Sequence, residues 1–353
     1  MYLSSLATAV PARRYTRAEC WEAFSMSEWF ARLDERSRAL ARLVLTRDNG
    51  MESRWLAVDS LAEAFAIDPD TLQKRFTRYA PQLAANAGRL ALQRAGLVAT
   101  DVDAVVVTTC TGYLCPGLTS YVSERLGLSR YAKTFDLVGQ GCAGAVPNWQ
   151  LASALLDAAH CDHVLSICVE VCSAAMYLDD DPGVLISACL FGDGAGAAVL
   201  SRSAPRAEMR RIRWGESVTV TVPAEREALR FEHRNGLLRN ILTRSVPALA
   251  AAHAKEAFQQ TTARAGVSAD AITAWIMHAG GRDVLLAVQE QFGLEPAALR
   301  YSRDTLREYG NLSSAFVYFV LQSALADAAP GGWWWLCSFG AGFSCHGALL
   351  AVD

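Results

Sequence analysis

The sequence has no apolar run long enough to cross a bilayer. Stretches such as Phe316–Leu321 are short, where about 20 consecutive apolar residues are needed. Met1 to Arg17 lacks the charged-then-apolar pattern of a secretory signal. Charge of neither sign dominates: 33 Lys and Arg stand against 36 Asp and Glu, a net −3. There is thus no basic stripe of the kind that holds nucleic acid. No cysteine belongs to a paired CxxC pattern, and Cys345-His346 stands alone, so no metal is expected. These absences lead to a soluble, cytoplasmic chain with no nucleic-acid partner and no membrane insertion.

Apolar material is plentiful. Of 353 residues 52% are hydrophobic and 20% charged, enough for a large core. The ten cysteines read as thiols of a reducing compartment, most of them serving as small buried hydrophobes. A functional cysteine must therefore be singled out by its setting.

Helical spacing is expected over residues 28 to 100, as in Ser60–Phe65 and Leu83–Ala95. Arg32 to Arg54 carries six arginines among apolar residues. This reads as a solvated amphipathic helix; alternatively, some of these arginines meet nucleotide phosphates. Further on, apolar strand-like runs alternate with helical ones. Ala104–Thr109, Phe135–Val138, His163–Val171 and Ala195–Ser201 read as strands, and Gly117–Leu126 and Val146–Ala159 as helices. After residue 245, helices at Pro247–Ala265, Val284–Phe292 and Asn311–Ala329 alternate with strands at Ala274–Met277, Trp333–Ser338 and Gly347–Val352. Such alternation argues for an α/β layered fold. AGAAVLS at 195–201 and HGALLAVD at 346–353 echo one another after Gly-rich turns, which suggests two related halves joined near Ser203 to Arg213.

Cys142 sits in the turn Gly139-Gln-Gly-Cys-Ala-Gly144, between a strand-like run and a helix. The glycines permit a sharp turn. A helix start would lower the thiol pKa and favour the reactive thiolate. A structural cysteine in a tight turn fits the same position. His278 ends the run Ala274–Met277 and precedes Ala279-Gly-Gly281, a setting that lets a substrate approach. His160 and His163 flank a helix end and His253 lies in an Ala-rich helix, so these read as surface or capping residues. Asn311, in Tyr309-Gly-Asn-Leu-Ser-Ser314, is either a helix cap or an amide donor for an oxyanion.

Taken together, GQGCAGAVPNWQLA, VEVCSAAMY, CLFGDGAGAAVL, WIMHAGG, EYGNLSSAFVYFVL and SFGAGFSCHGALL resemble, in order, segments of the type III polyketide synthases, the chalcone synthase-like members of the thiolase-fold condensing enzymes. The likeness covers residues 101–201 and 274–353 well and the remainder weakly. It implies a thiolase-like, five-layered αβαβα fold from two related halves, placed at 1–205 and 206–353, and a homodimer. It implies that Cys142 holds the acyl group while His278 and Asn311 bind the thioester carbonyl of malonyl-CoA. Phe191 matches a gatekeeping aromatic. A second is not evident near Leu238–Leu242, which reads LLRNIL. Cys110 and Ala175 stand where plant members line the cavity with threonine, and Cys115 where a methionine reaches across the dimer. Ser313 and Phe339 belong to the matching motifs and are expected to meet substrate, while Gly280, Gly281, Arg42 and Arg47 are candidates for CoA. The patterns HAGGRD and TTCTG resemble bacterial alkylresorcinol and alkylpyrone synthases. The resemblance therefore implies condensation of malonyl-CoA onto an acyl-CoA starter, fatty acyl in this reading, with ring closure and no cofactor beyond the CoA thioesters. The alternatives are an initiator ketosynthase performing one condensation onto an acyl carrier protein, a catalytically dead scaffold, and a metal-binding module.

Overall fold

The structure is a computed structural model that describes residues 1–158, 161–205 and 210–353. His160 and part of the expected joint near Ser203 to Arg213 lie outside the described residues. The strands are β1 (Tyr2–Ala9), β2 (Arg14–Thr16), β3 (Ser53–Trp55), β4 (Ala104–Thr108), β5 (Lys133–Leu137), β6 (His163–Glu170), β7 (Gly194–Ser201), β8 (Ile212–Thr221), β9 (Leu229–Arg234), β10 (Leu237–Leu242), β11 (Ile272–Met277), β12 (Gly332–Gly340) and β13 (Ser344–Val352). The helices are α1 (Arg17–Ser25), α2 (Glu28–Arg32), α3 (Glu35–Thr46), α4 (Pro69–Ala95), α5 (Leu118–Leu126), α6 (Ala145–Asp157), α7 (Pro182–Leu190), α8 (Val246–Ala265), α9 (Arg282–Phe292), α10 (Arg300–Tyr309) and α11 (Phe316–Ala326).

Local chemistry sets several of these limits. The long α4 begins at Asp68, whose carboxylate accepts from the Thr71 N–H, with Pro69 in its first turn. It ends at Gly96 with φ 69°, the left-handed cap that glycine takes most readily. The helical reading of 28–100 needs two corrections. Ser53–Trp55 is a strand paired with Arg14–Thr16, and Leu61–Phe65 is a lone 3-10 stretch. In the first case a tertiary partner decides, because buried Arg54 donates to the carbonyls of Ala188 and Phe191. Similarly, Asn311 does not start an α-helix directly: a 3-10 turn at Ser313–Ala315 precedes α11, which ends at Ala326.

Nine strands form one sheet in the order β11-β12-β13-β8-β1-β7-β6-β4-β5. Reading inward from β11, the pairings run parallel, antiparallel, antiparallel. The series β4-β6-β7-β1 repeats them. The two series meet where Tyr2 of β1 pairs with Arg213 of β8. The echoing sequences, β7 and β13, occupy equivalent places in their series. α4 and α5 cover the β1–β7–β6–β4 face, and α8 packs with α9 over β8 and β13. α6 and α11 lie between, each touching strands of both series. This is the thiolase-like αβαβα layering.

The middle layer is pinned by polar contacts. Trp149 Nε1 of α6 donates to the Tyr318 hydroxyl of α11 at 2.8 Å, and that hydroxyl also bonds Ser166 Oγ of β6 at 2.7 Å. Tyr318 can approach β7 this closely because residue 196 has no side chain. A Cβ on Gly196 would lie 2.3 Å from Tyr318 Cβ. Gly196→Ala should therefore lower stability by about 1–3 kcal/mol through overpacking. An unchanged urea midpoint would count against this account of the layer.

Candidate active site

The strand β5 leads into a turn that only glycines complete, with φ 81° at Gly139 and 54° at Gly141. A short 3-10 turn, Gly141–Ala143, then carries Cys142 to the start of α6. The end of β12 presses on this turn. Ser338 Oγ donates to the Ala143 carbonyl at 2.7 Å. A Cβ on Gly340 would lie 2.6 Å from the Ala143 nitrogen and 2.9 Å from that of Cys142.

Ser313 approaches Cys142 from the other side. Its φ is 51°, a left-handed conformation that costs a non-glycine residue free energy, and it is held there by a 2.9 Å bond from its N–H to Asn311 Oδ1. Its hydroxyl lies 3.3 Å from Cys142 Sγ, 3.2 Å from Cys110 Sγ and 3.3 Å from Glu170 Oε1. The Ser313 proton can go to Cys142 or to Glu170, and toward Cys110 either group can be the donor. Asn311 Nδ2 donates to the Gly280 carbonyl at 3.2 Å, which leaves its second N–H available. The backbone of Asn311 bridges that of Phe191. His278 follows β11, its N–H bonded to the Cys337 carbonyl at 2.9 Å. Its ring meets Phe316 and Phe339 edge-on, at 5.3 and 5.0 Å between centroids. A continuous set of bonds thus runs from Cys142 through Ser313 and Asn311 to the turn after His278.

A cavity of about 740 Å³, its mouth included, opens onto these groups. Cys142, Cys110, Ala175, Phe191 and Ser313 line it. His278, Asn311 and Phe339 are buried and are not among the lining residues; Asn311 is tied to the cavity through Ser313. Gly280 serves through its carbonyl, and Gly281 leads into α9. Arg42 and Arg47 do not line the cavity; both are exposed, on α3 and just beyond it. The amphipathic reading holds for α3, which buries Ser37, Ala41 and Leu45. Cys115 is exposed.

Several lining residues were not legible in the sequence. Phe231 on β9 stands opposite Asn240 on β10, and both line the cavity. The stretch Leu238–Leu242 thus contributes an amide, and the aromatic comes from its partner strand. Glu170 is fully buried and accepts from the Cys110 N–H, the hydroxyls of Thr109 and Thr111, and Ser314. Its place in VEVCSAAMY was the only sequence signal.

The electrostatics reverse one expectation. Burial pushes the Cys142 thiol up to about 12, outweighing the opposing hydrogen bond from Ser313. Desolvation, which disfavours the thiolate, is the largest cause of the shift. Burial likewise pushes His278 down to about 3, and its Nδ1 has no hydrogen-bond partner among the described residues. Burial thus favours the protonated thiol at Cys142 and the neutral imidazole at His278.

Cys142 lines the cavity, and through Ser313 and Asn311 it is linked to the turn after His278, on a thiolase-like fold. Residues 14–263 match the FAE1/Type III polyketide synthase-like protein family and 217–351 the chalcone and stilbene synthases, C-terminal domain. The chain is 30% identical to 1,3,6,8-tetrahydroxynaphthalene synthase of Streptomyces peucetius subsp. caesius, over 99% of this chain and 92% of that one. It is 26% identical to 3,5-dihydroxyphenylacetyl-CoA synthase of Streptomyces toyocaensis, over 97% and 88%. The crystal structure of tetrahydroxynaphthalene synthase from Streptomyces coelicolor A3(2) superposes with a TM-score of 0.89 over 99% of both chains, at 24% identity. The chain belongs to the type III polyketide synthases, acyltransferases that carry out condensing reactions on CoA thioesters. No described helix is long and apolar enough to cross a membrane.

Gly340→Ala should displace the Cys142 turn and cut kcat at least about tenfold, the scale expected of a small misplacement, with the fold retained. Wild-type kcat in this variant would show that the close approach is not needed. The His278 shift sets a pH dependence of stability. Its folded pKa, about 3, lies below the ordinary 6.5, so the unfolded chain binds the extra proton first. The contribution is fully present above about pH 6.5 and is lost as pH falls toward 3, at up to about 1.4 kcal/mol per pH unit. His278→Gln should flatten the fall in urea midpoint between pH 7 and 5 by that amount. Parallel pH profiles would refute it.

Proposed function

We propose that Cys142 accepts the acyl group from an acyl-CoA, and that His278 and Asn311 bind the thioester carbonyl of malonyl-CoA. The carrying observation is the bonded path from Cys142 through Ser313 and Asn311 to the carbonyl of Gly280, two residues beyond His278. As Cys142 attacks the thioester carbon, its proton passes to His278 and CoA leaves as its thiol. A resting thiol, which burial favours, keeps the nucleophile unreactive until substrate brings the partners into play. Malonyl-CoA then loses CO2, and the resulting enolate oxygen takes N–H donors from neutral His278 and from the free amide hydrogen of Asn311. The enolate carbon attacks the acyl–Cys142 thioester, the acyl C–S bond breaks to return the Cys142 thiolate, and the chain, now carried on CoA, is longer by two carbons. Phe191 at the cavity wall acts as a gate that keeps water from the reacting carbons.

The starter in this reading is a fatty acyl-CoA, and the product an alkylresorcinol, resorcylic acid or alkylpyrone. Its support is the lining: Leu56, Ala175, Met176, Val184 and Ala188 offer an apolar wall with little bulk near Cys110 and Cys172. A second reading rests on the relatives, whose names specify hydroxylated aromatic products, and has a small starter enter the same cavity.

Cys142→Ala should abolish the acyl-enzyme seen by intact mass and lower product formation by at least about 10³-fold. Product formation at the wild-type rate would remove the nucleophile assignment. Malonyl-CoA supplied with acyl-CoAs of graded length, and alone, decides the starter. Use of short starters or malonyl-CoA only would sink the fatty-acyl reading.

A further inference from the structure

Among the described residues, the hairpin β9–β10 forms a two-stranded sheet of its own, apart from the main sheet. It is locked in place from both faces. Arg239 points to one side, where it meets Asp179 at 2.8 Å, Glu232 at 3.3 Å and Asp181 at 3.4 Å, with a side chain only 9% exposed. The next residue, Asn240, points to the other side, as strand alternation requires, and lines the cavity. The hairpin backbone touches α7 directly: a Cβ on Gly183 would lie 2.2 Å from the Leu242 carbonyl oxygen.

Within that contact the orientation of the Asn240 amide follows from a proton count. Ser187 Oγ donates to the Gly183 carbonyl at 2.8 Å. Its single proton is thereby spent, so the 2.6 Å contact with Asn240 can only be Nδ2–H donating to Ser187 Oγ. The amide is thus fixed with nitrogen toward α7. Its second N–H and its Oδ1 make no hydrogen bond among the described residues, although the residue is only 9% exposed. Because Asn240 lines the cavity, these groups are reached from it, where water or a bound molecule can bond them. The same wall supplies Arg230, whose side chain is 32% exposed and paired with Glu227 and Glu232. Phe231 and Asn240, which share one face of the hairpin, line the same cavity as Ser313 and Cys142.

We propose that Asn240 is a specificity-determining residue that hydrogen-bonds substrate, its free N–H donating to a carbonyl oxygen and its Oδ1 accepting from an adjacent N–H or enol O–H, with Ser187 as the positioning residue that sets the amide. This rests on the reading that acyl-CoA and malonyl-CoA reach Cys142 through this cavity. Two parts of the reacting molecules carry that chemistry. The pantetheine arm of CoA has secondary amides, and the growing chain has β-keto groups that enolise.

Asn240→Leu keeps the branched shape and the number of heavy atoms and removes both bonding groups. Intact mass of Cys142 after exposure to starter is measured with steady-state kinetics and product masses, for the wild type, Asn240→Leu, Asn240→Ala and Ser187→Ala. A thermal melt checks the fold, and Asn240→Ala stands in if leucine is not accommodated. If the arm is held, KM for malonyl-CoA rises about three- to tenfold, the worth of one neutral hydrogen bond, with kcat little changed. That rise disappears when the malonyl group is carried on propanethiol, which has no amide. If the growing chain is held, KM stays and products shift toward shorter chains or another ring closure. Ser187→Ala moves the same readout less far. Normal acylation of Cys142 with unchanged KM and products in folded Asn240 variants overturns the inference alone. A wild-type protein that is not acylated at Cys142 overturns the parent reading and this one with it.

Discussion

The burial of one carboxylate organises the site. Glu170, at the end of β6, has no exposed surface. A charge in that position is costly unless its oxygens are bonded, and burial pushes its pKa up in spite of its bonds. The donors it collects come from separate parts of the chain: the Cys110 N–H and the Thr109 and Thr111 hydroxyls after β4, and Ser313 and Ser314 before α11. Meeting that demand draws the 109–111 loop and the 313–314 turn onto the same strand end. Ser313 then lies against Cys142.

The second constraint is close approach of backbones. α6 and α11 occupy the middle layer between the two strand series, and their starting turns carry Cys142 and Ser313. Glycines allow this. Gly144 leaves room for the Thr108 methyl group, which a Cβ would meet at 2.3 Å, and Gly340 for the Cys142 and Ala143 nitrogens. A site assembled from tightly touching backbones varies little in geometry. The cavity above it is built by α7 and the separate β9–β10 hairpin, an arrangement that lets lining chemistry vary while the reacting groups stay fixed.

Placing the histidine in an apolar cage of Phe316 and Phe339 gives it a definite resting state. Neutral imidazole is both a proton acceptor for a thiol and an N–H donor for an enolate oxygen. A permanently charged imidazolium would serve only as donor. The same desolvation that holds the thiol protonated strengthens any charge interaction formed once substrate closes the cavity.

The sequence by itself determined the alternation of strands and helices, the glycine turn around Cys142, and the residue types Cys142, His278 and Asn311 in collinear motifs, because these are local patterns of periodicity and turn chemistry. It did not disclose that Arg54 would hold a strand in a stretch read as helical, since the deciding carbonyls are 134 and 137 positions away. Nor did it place Phe231 and Asn240 at the cavity, because a two-stranded hairpin with exposed ends has a weak pattern and its docking on α7 depends on Gly183 and the Arg239 cluster. The direction of the Cys142 shift was likewise settled by the tertiary structure. A helix start is visible in sequence, but desolvation, the largest cause of the shift, is a property of the closed fold around the thiol.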